Sequence, residues 1–349
     1  MRVWKRVEEL SAGDIAQENI TISSSGQPVV KVGQKIDHEI IDALRALGIK
    51  WLLVESKDTF ESKIPKPETV EEMKADVKKL FDKVLLENKI DVDIVERSVQ
   101  KLTEEIFENY GEYITPVMAI MKDLSEYTYT HEVNVSIITT LLAIEMGYSE
   151  DKVHEICTGA LMHDVGKLKI PPEILDARRK LTDIEFSEIK KHVLYGREIC
   201  ENSGIKSVKI LSAVEDHHEK IDGSGYLKGL KGQELSETAK MMAVADVYDA
   251  LTSERPYKHA WSGYRAISYM LSLANVHFDI RVINALIRVF GLYPVGTKVL
   301  LSSGDEGTVV GMRKGYFSRL MVKLTNGEIV DLSEEKSILI QKVLSDEAR

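Results

Sequence analysis

The chain has 349 residues, 44% hydrophobic and 29% charged, with a formal net charge of −10 at pH 7. That length allows two or three domains with at least one substantial core. The negative balance excludes a general binder of long polyanions, so no nucleic-acid polymer is expected as a partner. No apolar run approaches the length of a membrane span, and Met1–Glu9 lacks a signal-type apolar stretch. No membrane partner is therefore expected, and the expected location is cytoplasmic. Cys157 and Cys200, the only cysteines, make no disulfide framework. In chain order, residues 1–55 read as a small α/β unit. "RVWKRVEEL" and "WLLVES" have strand character, and "DHEIIDALRALG" is helical, with Ile40, Ile41, Leu44 and Leu47 in period and Gly48 as a stop. "SKDTFESKIPKPET" is polar, carries two prolines and reads as a linker, opening a segment that runs from 56 to 113. Two amphipathic helices follow, one with Val70, Met73, Val77, Leu80 and Val84, the other "IVERSVQKLTEEIF". Their apolar faces pack either on the next domain or on a second copy in a homodimer. Residues 114–293 are helical in pattern, with loops at "KLKIPPE" and "EKIDGSGYLKGLKGQEL". From 294 to 349 short strands ("TKVLLSS", "EGTVVGM", "RLMVKLT", "EIVDLS") and the turn signal Asn326–Gly327 predict a small β-barrel-like tail. The fold class is mainly α.

The helical segment carries the chemistry. Five of the nine histidines fall at His131, His163, His192, His217 and His218. His131 opens "HEVNVSIITTLLAIEMG", where Val135, Ile138 and Leu142 mark an inward face. His192 lies in a helix started by the capping-box pair Thr182 and Glu185, with Ile189, Val193 and Gly196 on its buried side. Alone, each reads as a hydrogen-bonded core histidine. Asp246 lies in "MMAVADVYDAL", apolar nearly all round, and a buried carboxylate needs a cation, supplied by a salt bridge or a metal. Co-occurrence favours the metal: seven such residues, His131, His163, Asp164, His192, His217, His218 and Asp246, sit in one helical domain. Imidazole and carboxylate without thiolate suit first-row transition metals. Asp164 can bridge two ions with its two oxygens, as in dinuclear hydrolase sites.

The ordered series "YTYTHEVNV", "ALMHDVGKLKIPPEIL", "LTDIEFSEIKKHVLYG", "HHEKIDGSGYLKGLKG" and "VADVYDALTSERPYKHAWS" resembles the HD-GYP domain family of cyclic di-GMP phosphodiesterases. The similarity runs from about Thr115 to Pro294. It implies an all-helical HD-type catalytic domain that binds the small nucleotide cyclic di-GMP. The product would be pGpG and onward GMP, through a hydroxide bridging two metals. By the family pattern one metal takes His131, His163, Asp164 and Asp246, and the other shares Asp164 and takes His192, His217 and His218. Some members hold a third metal with a Glu four residues before the first His; Tyr127 stands there, so two divalent ions, iron or manganese, are expected. Lys167 of the HDxxK pattern would meet the scissile phosphate, and Arg255 and Lys258 would contact substrate phosphate or base. Tyr226 would stack or hydrogen-bond near the ligand, and Asp249, one turn beyond Asp246, would position or accept a proton. The signature triplet departs from the family at Gly225-Tyr226-Leu227, where proline is usual. Leucine lifts the fixed backbone angle, so the expected effect is on loop conformation and on contacts with a signalling-protein partner. Two other readings stay open at this point: a cyclic-dinucleotide receptor with little turnover, and a phosphodiesterase acting on cyclic GMP-AMP.

Overall fold

The computed structural model describes residues 2–10, 12–21, 28–49, 51–55, 62–110, 114–116, 127–177, 179–254, 259–313 and 315–344. Contacts divide the chain into two compact units, Met1–Ser62 and Lys63–Arg349. In the first, β1 (Arg2–Arg6) pairs antiparallel with β5 (Trp51–Glu55), Arg2 opposite Glu55, and β2 (Ile15–Ala16) covers the other side of β5. The strands β3 (Ile20–Thr21) and β4 (Pro28–Val30) form a separate pair. Helix α1 (His38–Ala46) starts where the Asp37 carboxylate accepts the Ile40 N–H, and its Ile41 and Leu44 close a core with Val30, Leu52 and Val54.

The second unit is mainly helical. The stretch read as a linker is shorter than its composition suggests. Ser62–Ile64 is a strand (β6), and Pro67 occupies the first turn of α2 (Pro67–Glu87), where its missing N–H costs nothing. Helix α3 (Val92–Asn109) follows, capped by Asp91, and the apolar stripes of both helices lie in one core. Ile114–Pro116 is a short strand (β7) where helix was expected.

Helix α4 (Tyr127–Glu145) begins a turn before His131 and is buried all round from Thr130 to Ala143, not on one face only. The reason is its place between two cores. Val133, Ile137 and Leu141 enter the core of α2 and α3, whereas Val135, Ile138 and Leu142 enter a second one. Around it come α5 (Glu150–Leu161), α6 (Pro172–Leu175), α7 (Asp183–Lys190), α8 (His192–Asn202) and α9 (Val208–Asp216). Then follow α10 (Glu237–Thr252), α11 (Gly263–Ser272) and α12 (Ile280–Phe290). The Thr182–Glu185 capping box is present in full at the start of α7, but that helix ends at Lys190 and His192 opens α8 instead of continuing it.

The tail is an antiparallel sheet of β8 (Lys298–Leu301), β9 (Glu306–Gly311), β10 (Met321–Leu324), β11 (Ile329–Asp331) and β12 (Ile340–Val343) in the order β11-β10-β9-β8-β12. Sequence reading missed β12, whose "ILIQKV" is interrupted by polar residues. Gly327, at φ 91°, makes the β10–β11 turn, as the Asn-Gly pair predicts. No helix among the described residues is long and apolar enough to cross a membrane.

Candidate metal centre

Five helices bring the cluster together. His131 lies in the second turn of α4. His163 and Asp164 follow the end of α5, where the chain tightens into the 3-10 turn Val165–Lys169. His192 is the first residue of α8, His217 caps α9 with His218 beside it, and Asp246 and Asp249 lie one turn apart on α10. Close approach of two backbones sets one of these distances. A Cβ on Gly166 would stand 1.9 Å from the His192 carbonyl oxygen and 2.4 Å from the Gly196 nitrogen, so only glycine lets the turn lie directly on α8.

The histidines are aimed by the side of the ring away from the cluster. Nδ1 of His163, His192 and His217 donates to the carbonyl three residues earlier, of Ala160 (2.9 Å), Ile189 (2.7 Å) and Val214 (2.9 Å). His131 Nδ1 donates to Asp249 Oδ2 at 2.7 Å. A carbonyl can only accept, so the proton sits on Nδ1 and Nε2 faces the cluster. Orientation of this kind is the usual support of a ligating histidine.

Asp164 is at the centre, 1% exposed. Its Oδ1 lies 3.2 Å from His192 Nε2 and 3.6 Å from His217 Nε2. Its Oδ2 lies 3.5 Å from His163 Nε2 and 3.8 Å from His131 Nε2. One carboxylate thus divides four imidazoles into two pairs. Asp246 spans the same division, with Oδ1 3.2 Å from His131 Nε2 and Oδ2 3.8 Å from His218 Nδ1.

Burial opposes ionisation of both carboxylates, yet Lys167 and His163 beside Asp164, and His131 and His218 beside Asp246, hold them well below the usual carboxylate range. Burial also opposes charge on the imidazoles. It is outweighed at His131, raised to about 10 by Asp246 and Asp249, and at His163, raised to about 9 by Glu132 and Asp164. It prevails at His217, lowered to about 4, and at His218, also lowered. His163 Nε2 and Asp164 Oδ1 are fully buried and make no hydrogen bond among the described residues. Unspent lone pairs converging in a buried site of imidazole and carboxylate fit a divalent metal ion. A ligating imidazole must be neutral, so metal binding by His131 and His163 would require both to give up a proton.

Of the other expected residues, Lys167 pairs its ammonium with Asp164 Oδ2. The Tyr226 ring centroid is 4.8 Å from that of His218. Arg255 and Lys258 lie outside the described residues, as does the side chain of Tyr127. Asp249 stands behind His131, not beside the cluster. Its Oδ2 holds the ring, and its Oδ1 accepts from Asn134 Nδ2 and Ser253 Oγ, both at 2.8 Å. In this structure Asp249 orients the His131 ring.

Sequence reading missed Glu132, 0% exposed and 3.0 Å from His163 Nδ1, because the period of α4 marks only apolar positions. It also missed Glu219, 2% exposed, whose carboxylate accepts the N–H groups of Lys228 (2.6 Å), Gly229 (2.9 Å) and Leu230 (3.2 Å). Lys228 in turn reaches Glu215 and Asp216 at 2.8 Å each, so the loop after Leu227 is tied down on both sides. Gly225 fits against the His218–Glu219 backbone, where a Cβ would come within 2.4 Å of Glu219 Cα.

Residues 116–282 match the HD domain family model. The chain is 40% identical over 190 residues to the cyclic di-GMP phosphodiesterase PA4108 of Pseudomonas aeruginosa, covering 54% of this chain and 46% of that one. It is 39% identical over 155 residues to the cyclic di-GMP phosphodiesterase response regulator RpfG of Xanthomonas campestris, covering 44% and 41%. At 31% over 194 residues, 55% of this chain and 42% of that one, it resembles the 3'3'-cGAMP-specific phosphodiesterase 3 of Vibrio cholerae. The matches thus span less than half the length of these relatives.

Proposed function

We propose that residues 116–282, which match the HD domain model, are an HD domain of the HD-GYP type, and that the chain is a metal-dependent phosphodiesterase that hydrolyses cyclic di-GMP to pGpG and onward to GMP. The observation that carries the reading is the division at Asp164, with His192 and His217 on one carboxylate oxygen and His131 and His163 on the other. Two imidazole groups around one shared carboxylate suit a pair of closely spaced divalent ions. In this reading His131, His163, Asp164 and Asp246 would hold one ion, and Asp164, His192, His217 and His218 would hold the other. Iron or manganese suits such a shell. When bound, the ions supply Lewis acidity toward the phosphoryl oxygens and lower the pKa of a water.

The chain's own groups do the rest. Lys167, with its side chain 28% exposed, turns from Asp164 to an oxygen of the scissile phosphate and offsets the charge that grows there. Tyr226 offers its ring to a base. Arg255 and Lys258 would contact substrate phosphate or base. Leu227, 42% exposed, is the residue of the altered triplet open to a signalling protein.

Asp249 is a positioning residue in this scheme. Asp249→Asn is expected to weaken metal affinity about 10- to 100-fold, the usual cost of losing an orienting partner, while excess metal restores kcat. A kcat that stays low at saturating metal would return Asp249 to proton transfer.

The whole reading is tested by incubating anaerobically purified protein with cyclic di-GMP and Fe²⁺ or Mn²⁺ and resolving products by chromatography. pGpG or GMP is expected. Cleavage of cyclic GMP-AMP alone would move the substrate to that of the Vibrio relative, and binding of cyclic di-GMP without product would make the protein a receptor.

A further inference from the structure

Lys190 ends α7, two residues before His192, and so stands at the rim of the metal cluster. Its Nζ lies 4.8 Å from the centroid of the Phe186 ring and 5.3 Å from that of Tyr226, the ring that leans on His218. Among the described residues no carboxylate pairs with it. Lys167, Lys191 and Lys228, by contrast, pair with Asp164, with Glu188, and with Glu215 and Asp216. In a chain of net charge −10, an uncompensated ammonium at the mouth of a buried site is a selective arrangement.

Two aromatic faces hold an ammonium in place by their quadrupoles without consuming its charge or its N–H donors. A carboxylate would consume both. The group is thus positioned and still able to bind an anion. The Phe186 ring beside it is 46% exposed, which suits a flat base next to a phosphate.

We propose, resting on the phosphodiesterase reading above, that Lys190 binds the phosphate of the cyclic dinucleotide that is not being cut, with the rings of Phe186 and Tyr226 carrying a base beside it. A cyclic dinucleotide has two phosphates, and the metal cluster with Lys167 accounts for one.

The test uses the full chain loaded with Mn²⁺, as wild type, Lys190→Met and Lys190→Arg. Two substrates are compared: cyclic di-GMP, and bis(p-nitrophenyl) phosphate, which has a phosphodiester but no second phosphate. Lys190→Met is expected to raise KM for cyclic di-GMP about tenfold, the loss of one charge-assisted contact, with kcat unchanged. Metal content and turnover of bis(p-nitrophenyl) phosphate stay at wild-type level, and Lys190→Arg keeps most of the affinity. The wild-type KM should also rise more steeply with added salt than that of Lys190→Met. Equal slowing of both substrates would mark a structural role and overturn the proposal, as would no change in either.

The dissociation constant of cyclic di-GMP on the same proteins separates this proposal from the hydrolytic reading. A wild type that binds without cutting, with binding about tenfold weaker in Lys190→Met, keeps Lys190 and rejects hydrolysis. A wild type that cuts, with Lys190→Met unaffected, rejects Lys190 alone. A wild type that neither binds nor cuts rejects both.

Discussion

Asp164→Asn is expected to strip the protein of most of its divalent metal and to lower hydrolysis of cyclic di-GMP by about a thousandfold or more. The substitution keeps the shape of the side chain and removes the one group that faces all four of His131, His163, His192 and His217. An amide offers one acceptor oxygen, so whichever way it turns, one imidazole pair meets an N–H₂ group instead. The loss should therefore exceed that in Asp246→Asn, because Asp246 approaches only one histidine with each oxygen. Elemental analysis of metal per chain, read beside product formation and near-UV circular dichroism, checks the prediction. Full metal content with full turnover in Asp164→Asn would remove the centre from the mechanism altogether.

Gly166→Ala should be nearly as damaging, although it changes no ligand. The added methyl would meet the backbone of α8: the His192 carbonyl oxygen at 1.9 Å, the Gly196 nitrogen at 2.4 Å and the His192 carbonyl carbon at 2.9 Å. None of these is the movable end of a side chain. The turn that carries Asp164 and Lys167 must therefore lift off the start of α8, which carries His192. Overpacking of this kind costs about 1–3 kcal/mol of stability. The functional cost is larger, because a shift of about an ångström separates the two ligand groups and catalytic geometry tolerates little displacement. Urea unfolding, metal content and turnover should fall together in this variant. Wild-type metal affinity in a stably folded Gly166→Ala would show that the turn and α8 are free to separate.

Much of the fold was legible because its signals are local. The period of α2 and α3, the capping box at Thr182 and Glu185, and the Asn326–Gly327 turn each depend on residues no more than four apart. Each was found where the pattern placed it. The failures were local too. Pro67 reads as a linker residue in isolation, yet it starts a helix, because the first turn is where a proline fits. The strands Ile114–Pro116 and Ile340–Val343 are short, and their pairing comes from other parts of the chain.

The same division runs through the site. Residue type and order alone named seven metal-ligand candidates, because a histidine-rich set threaded through apolar helices has few other uses. Sequence could not say which oxygen of Asp164 faces which ring, or that Asp249 holds His131 from behind. Nor could it say that Glu132 sits against His163, or that Lys190 rests on two aromatic faces without a carboxylate. Those relations join α4, α5, α7, α8, α9 and α10 across separations of up to more than a hundred residues. Helical periodicity reports which face of an element is buried. What that face meets is decided only when the elements pack, and in this protein packing sets the chemistry of the centre.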